Sequence, residues 1–280
     1  MHDKTCIIIT GATAVGKTDY AIELAEKYNT QIISADSRQC FNELNIGVAK
    51  PSEQQLQKIH HYFINSHSIH DDVNVKVFEK YALKAIHEIF KNNDVAIMAG
   101  GTGLYIKAFC EGLDDIPEID ELIHNEIVEA YKLKGIEWLQ NEIRKIDSSY
   151  FALGEMANPR RMMRALEVKL STGKSILEFQ SGKKIQRKFK IKKINLEIPR
   201  DELYKRINNR VDIMMNAGLL KETETLYAYK NLNALQTVGY RELFDFIDGK
   251  ISLEAAINNI KKNTRHFAKR QITWFKKYNN

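Results

Sequence analysis

A glycine-rich loop that directly follows a short apolar run restricts the fold of this chain more than any other feature. Residues 11–18 read GATAVGKT, fit the pattern G-x-x-x-x-G-K-[ST], and follow the apolar stretch 4–10. Apolar residues at helical spacing begin immediately after the loop. In such a strand–loop–helix context, backbone N–H groups and the lysine bind phosphate oxygens, and the hydroxyl can bind Mg²⁺. The pattern therefore predicts a phosphate or pyrophosphate site, without showing that the ligand is ATP.

Further apolar runs and helical segments alternate along the chain, which predicts a parallel α/β sheet around this loop. Three more runs read as strands: 30–35, 94–99 and 190–198. Helices are predicted over 75–91, from Pro199 and Asp201 to just before Gly218, and over about 252–276. Ligands of such sheets bind at the carboxyl ends of the strands, so the residues behind each run are candidate site residues.

The pattern changes after Pro117, where residues 118–180 read as mostly helical with no good strand. We therefore expect an α/β fold with a P-loop NTPase-like parallel sheet and a mostly helical inserted domain. The boundaries predicted for the catalytic core are 1–114 and 191–280, and those of the insertion are 115–190.

Composition and charge narrow the class of protein. Hydrophobic residues make up 44% and charged residues 28%, as in ordinary globular domains. No run approaches the ~18 apolar residues of a membrane span, so no membrane helix is expected. Three cysteines indicate a reducing, cytoplasmic setting without a disulfide framework.

The basic runs 181–193 and 261–277 each hold seven Lys or Arg and no acid. Such runs favour a polyanionic partner, although solvated helix faces explain them equally well.

Two short segments behind predicted strands carry candidate chemistry. Asp36 follows the run 30–35, where a carboxylate can bind Mg²⁺ or accept a proton, or can simply cap the turn. Gln39 offers an amide of the kind that pairs with adenine. The glycine-rich turn 100–103 adds the hydroxyl of Thr102, and it stands where an NTPase usually has a Mg²⁺-binding Asp, which weighs against a standard NTPase.

Taken together, the motifs resemble one family, the bacterial tRNA dimethylallyltransferases, which isopentenylate adenosine 37 beside the anticodon. The matching stretches run almost end to end: GATAVGKT (11–18), SADSRQ (34–39), IGVAKPS (46–52), HHYFI (60–64), GGTGLYI (100–106), NPRRMMRALEV (158–168), STGKS (171–175), EFQS (178–181), RDELYKRINNRVDIMMNAGLL (200–220), TVGYREL (237–243) and TRHFAKRQITWF (264–275).

The resemblance implies a Mg²⁺-dependent enzyme that transfers a dimethylallyl group from dimethylallyl diphosphate to N6 of adenosine 37. The implied substrates are tRNAs that read codons beginning with U, bound through the anticodon stem-loop, and diphosphate is released. It further implies that the helical insertion contacts tRNA. We expect a cytoplasmic monomer.

Roles carry over from the family to matching positions of this sequence. The implied catalytic residues are Asp36 as the general base, Thr18, Arg210 and Thr102. The implied diphosphate-binding residues are Gly11, Ala12, Thr13, Ala14, Val15, Gly16, Lys17, Thr18 and Arg210, with Thr18 also binding Mg²⁺. The implied tRNA-binding residues are Asp36, Ser37, Arg38, Gln39, Thr102, Arg160, Arg161, Met162, Met163, Arg164, Gln236, Thr237, Val238, Gly239, Tyr240 and Arg241, although Tyr240 is equally suited to the core.

The sequence departs from the family pattern at a few positions. Ala12 stands where Pro is usual, Cys40 and Phe41 replace a more usual Val-Tyr, and Val48 replaces a common Thr. We interpret Cys40 as a packing residue.

Three other classes stay open. An adenylate isopentenyltransferase would share the loop and Asp36 but would not need two basic runs. A small-molecule kinase would transfer the γ-phosphate of ATP. A non-catalytic RNA-binding protein would not depend on Asp36.

Overall fold

The computed structural model describes residues 4–279 and contains the predicted parallel α/β sheet. Its five strands are β1 (Thr5–Gly11), β2 (Ile32–Ser34), β3 (His61–Tyr62), β4 (Val95–Ala99) and β5 (Lys190–Leu196). They lie in the order β3-β2-β4-β1-β5, and every neighbouring pair is parallel. The four runs predicted as strands are confirmed. The two-residue strand β3 was not predicted, because so short a segment has no apolar periodicity of its own.

Twelve α-helices are described: α1 (Lys17–Lys27), α2 (Glu53–Lys58), α3 (Val75–Asn92), α4 (Gly103–Glu111), α5 (Glu121–Ile146), α6 (Ser148–Leu153), α7 (Pro159–Thr172), α8 (Ile176–Phe179), α9 (Arg200–Asn216), α10 (Leu219–Thr225), α11 (Tyr240–Ile247) and α12 (Leu253–Asn279). Short 3₁₀ turns lie at Ile46–Val48, Tyr227–Tyr229 and Asn233–Leu235. The predicted helices 75–91, Asp201 onward and 252–276 correspond to α3, α9 and α12 and are confirmed.

Strand β1 lies inside the sheet and is buried on both faces. Cys6 and Ile8 pack into the core cluster that holds residues of α3 and α4. Ile7 and Ile9 pack on the opposite face, against residues of α1. A strand covered by helices on both faces has no solvated side, which is why its sequence is a continuous apolar run rather than an alternating one.

The chain divides into two compact units. One contains the chain up to Gly112 and from Gln186 onward, and the other is Leu113–Ile185. The second unit contains α5 to α8 with a core of its own, which includes Leu139, Ile143 and Leu166. Residues 118–180, all of them described, contain helices and no strand, as predicted. Residues 186–190, expected in the insertion, lie in the first unit instead.

None of the helices described between residues 4 and 279 combines the length and the apolar character that crossing a bilayer requires.

One cation of the basic run 181–193 has a structural task. Arg187 donates through Nε to the carbonyl oxygen of Phe109 at 2.7 Å and through Nη2 to that of Ala108 at 2.8 Å, at the carboxyl end of α4. Nη2 also contacts Glu79 of α3 at 2.6 Å, and only 10% of the arginine side chain is exposed. The carbonyl of Ala108 also accepts from Gly112 N at 2.8 Å, whereas last-turn carbonyls in general lack enough backbone donors, so this guanidinium stabilises the helix end and joins two helices.

Replacing Arg187 with Gln is expected to lower the free energy of unfolding by about 2–4 kcal/mol, because Glu79 and two carbonyls lose their charged partner. The matched control is Lys188→Gln at the exposed neighbouring position, for which we expect a change within about 0.5 kcal/mol. Urea unfolding of the two variants measures the difference. Equal midpoints would show that Arg187 is an ordinary surface cation.

Candidate active site

The predicted phosphate loop connects β1 to α1. The helix begins at Lys17, behind a left-handed Gly16 at φ 101°. Gly11 has a φ of +144°, and a Cβ there would lie 2.7 Å from the carbonyl oxygen of Leu196, so this position requires glycine. The loop thus has the strand–loop–helix geometry that its sequence predicts.

A cavity of about 270 Å³ lies in front of this loop, entirely within the first unit. The residues after β2 and β4 also line it, so the carboxyl ends of three strands meet there. Six of the predicted diphosphate-binding residues line the cavity: Thr13, Ala14, Gly16, Lys17, Thr18 and Arg210. Gly11, Ala12 and Val15 do not; they line a separate cavity of about 360 Å³ between the loop, β5, α9 and α12. A phosphate loop binds through its backbone N–H groups, so diphosphate binding by all eight loop residues stays a prediction, and only the cavity that each residue lines is settled here.

Three cations line the cavity, Lys17, Lys50 and Arg210, and two of them, Lys17 and Arg210, contact residues of the phosphate loop. Lys17 Nζ donates to the carbonyl oxygen of Ala12 at 2.7 Å, and burial lowers the pKa of Lys17 to about 8, with Arg210 lowering it further and Asp36 raising it. Arg210 Nη1 lies 3.5 Å from Thr13 Oγ1, and burial lowers its pKa as well, against the opposing effect of Asp19. Neither forms a salt bridge with any residue in the described part of the chain. Buried cations without an acidic partner suit an anionic ligand.

Asp36 lines the same cavity and also organises the turn behind β2. Its Oδ1 accepts hydrogen bonds from the backbone N–H groups of Arg38 at 2.9 Å and Gln39 at 3.3 Å. The hydrogen bonds that Asp36 accepts from described residues all go to Oδ1, so Oδ2 is left for a proton. The carboxylate therefore caps the turn through one oxygen and leaves the other available to a ligand.

Thr102 lies behind the turn of Asp36 rather than on the cavity wall. Its Oγ1 accepts a hydrogen bond from Ser37 N at 3.1 Å, and its N–H donates to the carbonyl oxygen of Ala35 at 3.1 Å. The neighbouring Gly100 allows this approach, because a Cβ there would lie 2.2 Å from Ala35 O. Thr102 thus joins the two strand ends.

Gln39 lines the cavity with its amide fixed at both ends. Nε2 donates to the carbonyl oxygens of Val48 at 3.3 Å and Ala49 at 3.0 Å, and Oε1 accepts from Ser34 Oγ at 3.2 Å. Cys40 beside it is fully buried, and burial raises the pKa of its thiol to about 12, so the thiol is protonated and packs, as predicted.

Three predicted tRNA-contacting residues are buried. Met162 lies in the core of the second unit, and the ring of Tyr240 lies in the core of the first, with its hydroxyl donating to Glu222 Oε1 at 2.6 Å. Gly239 is buried too, and its N–H donates to Glu242 at 2.8 Å. The side chains of Met162 and Tyr240 are enclosed by protein atoms and do not reach RNA, whereas an RNA contact by the backbone of Gly239 stays a prediction.

The other predicted tRNA-contacting residues are exposed or half-buried. Arg160, Arg161, Gln236 and Arg241 are exposed, whereas Ser37, Arg38, Met163, Arg164, Thr237 and Val238 are half-buried. The segments 160–164 and 236–241 belong to the second and the first unit respectively.

Several cavity residues were not identified from the sequence. His61 at β3 donates through Nδ1 to the carbonyl oxygen of Ile59 at 2.8 Å, and burial lowers its pKa. Gln55 Nε2 donates to Asp19 Oδ1 at 3.0 Å, which joins α2 to α1 beside the cavity. These residues belong to or lie near the stretches HHYFI and IGVAKPS, which the sequence shows as motifs. The sequence does not show that both stretches lie next to the phosphate loop in the folded chain.

Comparison with known proteins agrees with this geometry. The family model described as IPP transferase matches residues 39–278. The tRNA dimethylallyltransferase of Christiangramia forsetii is 49% identical over 271 residues, which are 97% of this chain and 90% of that protein. The tRNA dimethylallyltransferase 1 of Bacteroides thetaiotaomicron is 41% identical, covering 98% and 89%.

Solved structures give the same answer. The full-length tRNA isopentenylpyrophosphate transferase of Bacillus halodurans has a TM-score of 0.70 and 35% identity, covering 98% of this chain and 87% of its own. A eukaryotic dimethylallyltransferase acting on tRNA has a TM-score of 0.81 and 28% identity, covering 97% and 70%. The chain therefore belongs to the IPP transferase family, which confirms the prenyl transferase family that its motifs resemble.

Proposed function

We propose that the protein transfers the dimethylallyl group of dimethylallyl diphosphate to N6 of adenosine 37 in tRNAs that read codons beginning with U. The observation that carries the proposal is the cavity in which Lys17 and Arg210 lie without an acidic partner beside Asp36 and Gln39. A diphosphate matches the two cations, and an adenine matches the carboxylate and the amide. The named relatives are tRNA dimethylallyltransferases.

In the proposed reaction N6 of the adenine forms a bond to the allylic carbon, and the bond between that carbon and the diphosphate oxygen breaks. The proton leaving N6 goes to Asp36, and diphosphate is the leaving group. Negative charge grows on the leaving oxygens, where Lys17 and Arg210 stabilise it. A positioned base contributes because the exocyclic amine is a weak nucleophile.

Mg²⁺ fits the oxygen donors of this cavity. Thr18 and Asp36 line it, whereas no group of three or more His, Cys, Asp or Glu able to hold a metal exists among residues 4–279. Few protein oxygens combined with ligand phosphates are the usual Mg²⁺ environment, so Thr18 would hold the ion together with oxygens of the diphosphate, and Asp36 keeps Oδ2 for the proton. When bound, Mg²⁺ neutralises charge on the diphosphate.

The anticodon loop must release its adenine from the base stack before N6 can react. Exposed cations on the basic runs and at Arg160, Arg161 and Arg241 are proposed to contact RNA phosphates, which position the loop without reading its sequence. We propose that the monomer is active, and a tRNA substrate implies work in the cytoplasm.

The direct test incubates the protein with Mg²⁺, dimethylallyl diphosphate and an unmodified tRNA carrying adenosines at positions 36 to 38. AMP and ATP replace the tRNA in parallel tubes. We expect N6-isopentenyladenosine in digests of the tRNA tube alone, detected by mass spectrometry. Product only with a free nucleotide would reject tRNA as the acceptor.

The base role of Asp36 is tested by Asp36→Asn, because asparagine keeps the Oδ1 that caps the turn and loses the capacity to accept the proton. We expect the single-turnover rate to fall by about 10²–10⁴-fold. The Kd of the anticodon stem-loop is expected to change by less than about threefold, since the turn persists. A rate above a third of the wild-type rate would reject Asp36 as the base.

The charge of Lys17 gives a pH dependence to diphosphate binding. With a pKa of about 8 in the free protein, the ammonium loses its proton as the pH rises through 8. The diphosphate is already fully ionised there. We expect the Kd of dimethylallyl diphosphate, measured by calorimetry, to rise about tenfold between pH 7.5 and 9.5.

The matched control is Lys17→Arg, whose guanidinium stays charged over this range. Its affinity is expected to change by less than about twofold between the same pH values. A wild-type profile as flat as that of the arginine variant would show that Lys17 does not titrate in this range or does not bind the diphosphate.

A further inference from the structure

A buried carboxylate holds the turn that borders the cavity at Gln39. Glu222 of α10 accepts hydrogen bonds from Ile46 N at 2.8 Å, from Gly47 N at 3.0 Å and from the hydroxyl of Tyr240 at 2.6 Å. The turn Ile46–Val48 is thereby tied to α10 and α11. Three donors on one partly buried carboxylate form a cluster of short, directional hydrogen bonds.

The ring of Tyr240 packs directly under this turn. A Cβ on Gly47 would lie 2.5 Å from Tyr240 Cζ, so the backbone approaches the ring as closely as glycine allows. Tyr240 is fully buried, and burial next to Glu222 raises the pKa of its hydroxyl well above the usual range, so the hydroxyl stays protonated as a donor. The position of the turn is therefore fixed by packing as well as by hydrogen bonds.

The opposite end of the same turn holds the amide of Gln39. Val48 O and Ala49 O accept from Nε2, and Ser34 Oγ donates to Oε1. An amide nitrogen has two N–H donors and the amide oxygen has two lone pairs. With both donors used by the turn, the group left for a ligand is the remaining lone pair of Oε1. Oε1 is therefore fixed as an acceptor.

We propose that Glu222 and Tyr240 are positioning residues that fix the Gln39 carbonyl as the acceptor for the exocyclic amino group of adenine. This inference rests on the proposed function, in which the adenine enters the cavity. An acceptor at that point favours adenine, whose position 6 carries N–H donors, over a 6-oxo purine, which offers a carbonyl there. Tyr240 thus acts from the core, through the turn, rather than by touching RNA.

The test is a double-mutant cycle of Tyr240→Phe with Gln39→Ala, read as kcat/KM for an anticodon stem-loop at saturating dimethylallyl diphosphate. Tyr240→Phe alone is expected to lower kcat/KM about fivefold, the scale of one hydrogen bond, with KM for dimethylallyl diphosphate within about twofold. In the Gln39→Ala background the same change is expected to have less than about a twofold effect, because residues that act through one another are not additive.

A binding measurement supplements the cycle and does not depend on turnover. The ratio of Kd values for stem-loops with inosine and with adenosine at position 37 is expected to fall about fivefold in Tyr240→Phe. The matched control is Tyr227→Phe, which also removes a hydroxyl bonded to a carboxylate, that of Asp248, away from the turn. It is expected to keep both the ratio and kcat/KM within about twofold of the wild type.

Glu222→Gln is the second variant and enters the same cycle if Tyr240→Phe does not fold. Its amide places a donor against a backbone N–H of the turn, so the turn loosens while Tyr240 keeps its place. Effects of Tyr240→Phe and Gln39→Ala that multiply independently would overturn the positioning role and leave the proposed function standing. A Gln39→Ala variant with unchanged kcat/KM and unchanged base preference would overturn the acceptor role of Gln39 and with it the positioning role, whereas a wild-type protein without any prenylated tRNA product would overturn the proposed function.

Discussion

Lys17 and Arg210 are two half-buried cations that share a cavity without a salt bridge to any described residue, and this constraint shapes the rest of the site. Desolvation lowers the pKa of both, and Arg210 lowers that of Lys17 further, so holding them together costs free energy until an anion binds. The fold nevertheless holds both cations in place, because Lys17 begins α1 after the phosphate loop and Arg210 lies on α9. The two neighbouring positive charges lower the stability of the free protein and favour the binding of an anion. The arrangement therefore indicates an anion-binding site rather than a structural ion pair.

How far the sequence predicts this site depends on the range of the interactions involved. The loop, its flanking strand and its helix are local, and all three follow from spacing. Arg187 shows the opposite case, because its partners Ala108 and Phe109 lie 79 and 78 positions away along the chain. From sequence alone it is one more cation in a basic run, and only the folded chain shows that it stabilises a helix end. Charge counting therefore overstates the surface offered to RNA.

Motif resemblance identifies the segments of the site better than it identifies the atoms that touch a ligand. Met162 and Tyr240 occur within matching stretches, yet both are fully buried. An amphipathic helix places neighbouring residues on opposite faces, so a contiguous motif necessarily mixes contacting and packing residues. Asp36 shows the same limit, because a cap and a base are indistinguishable in the sequence. In the structure Oδ1 caps the turn, which is compatible with the proposed base role of the second oxygen.

Helix α12 joins the basic surface to the geometry of the phosphate loop. Gln271 is buried, accepts from Thr13 N through Oε1 at 2.8 Å and donates through Nε2 to Gly101 O at 3.0 Å, so it bridges the loop and the glycine-rich turn. Lys269 and Arg270, its immediate neighbours, are exposed. One rigid helix therefore carries outward charge and inward hydrogen bonds within three consecutive positions. A change in the run 261–277 reports on the proposed RNA contact only where the altered side chain is exposed, because an inward change displaces the phosphate loop, the proposed diphosphate site.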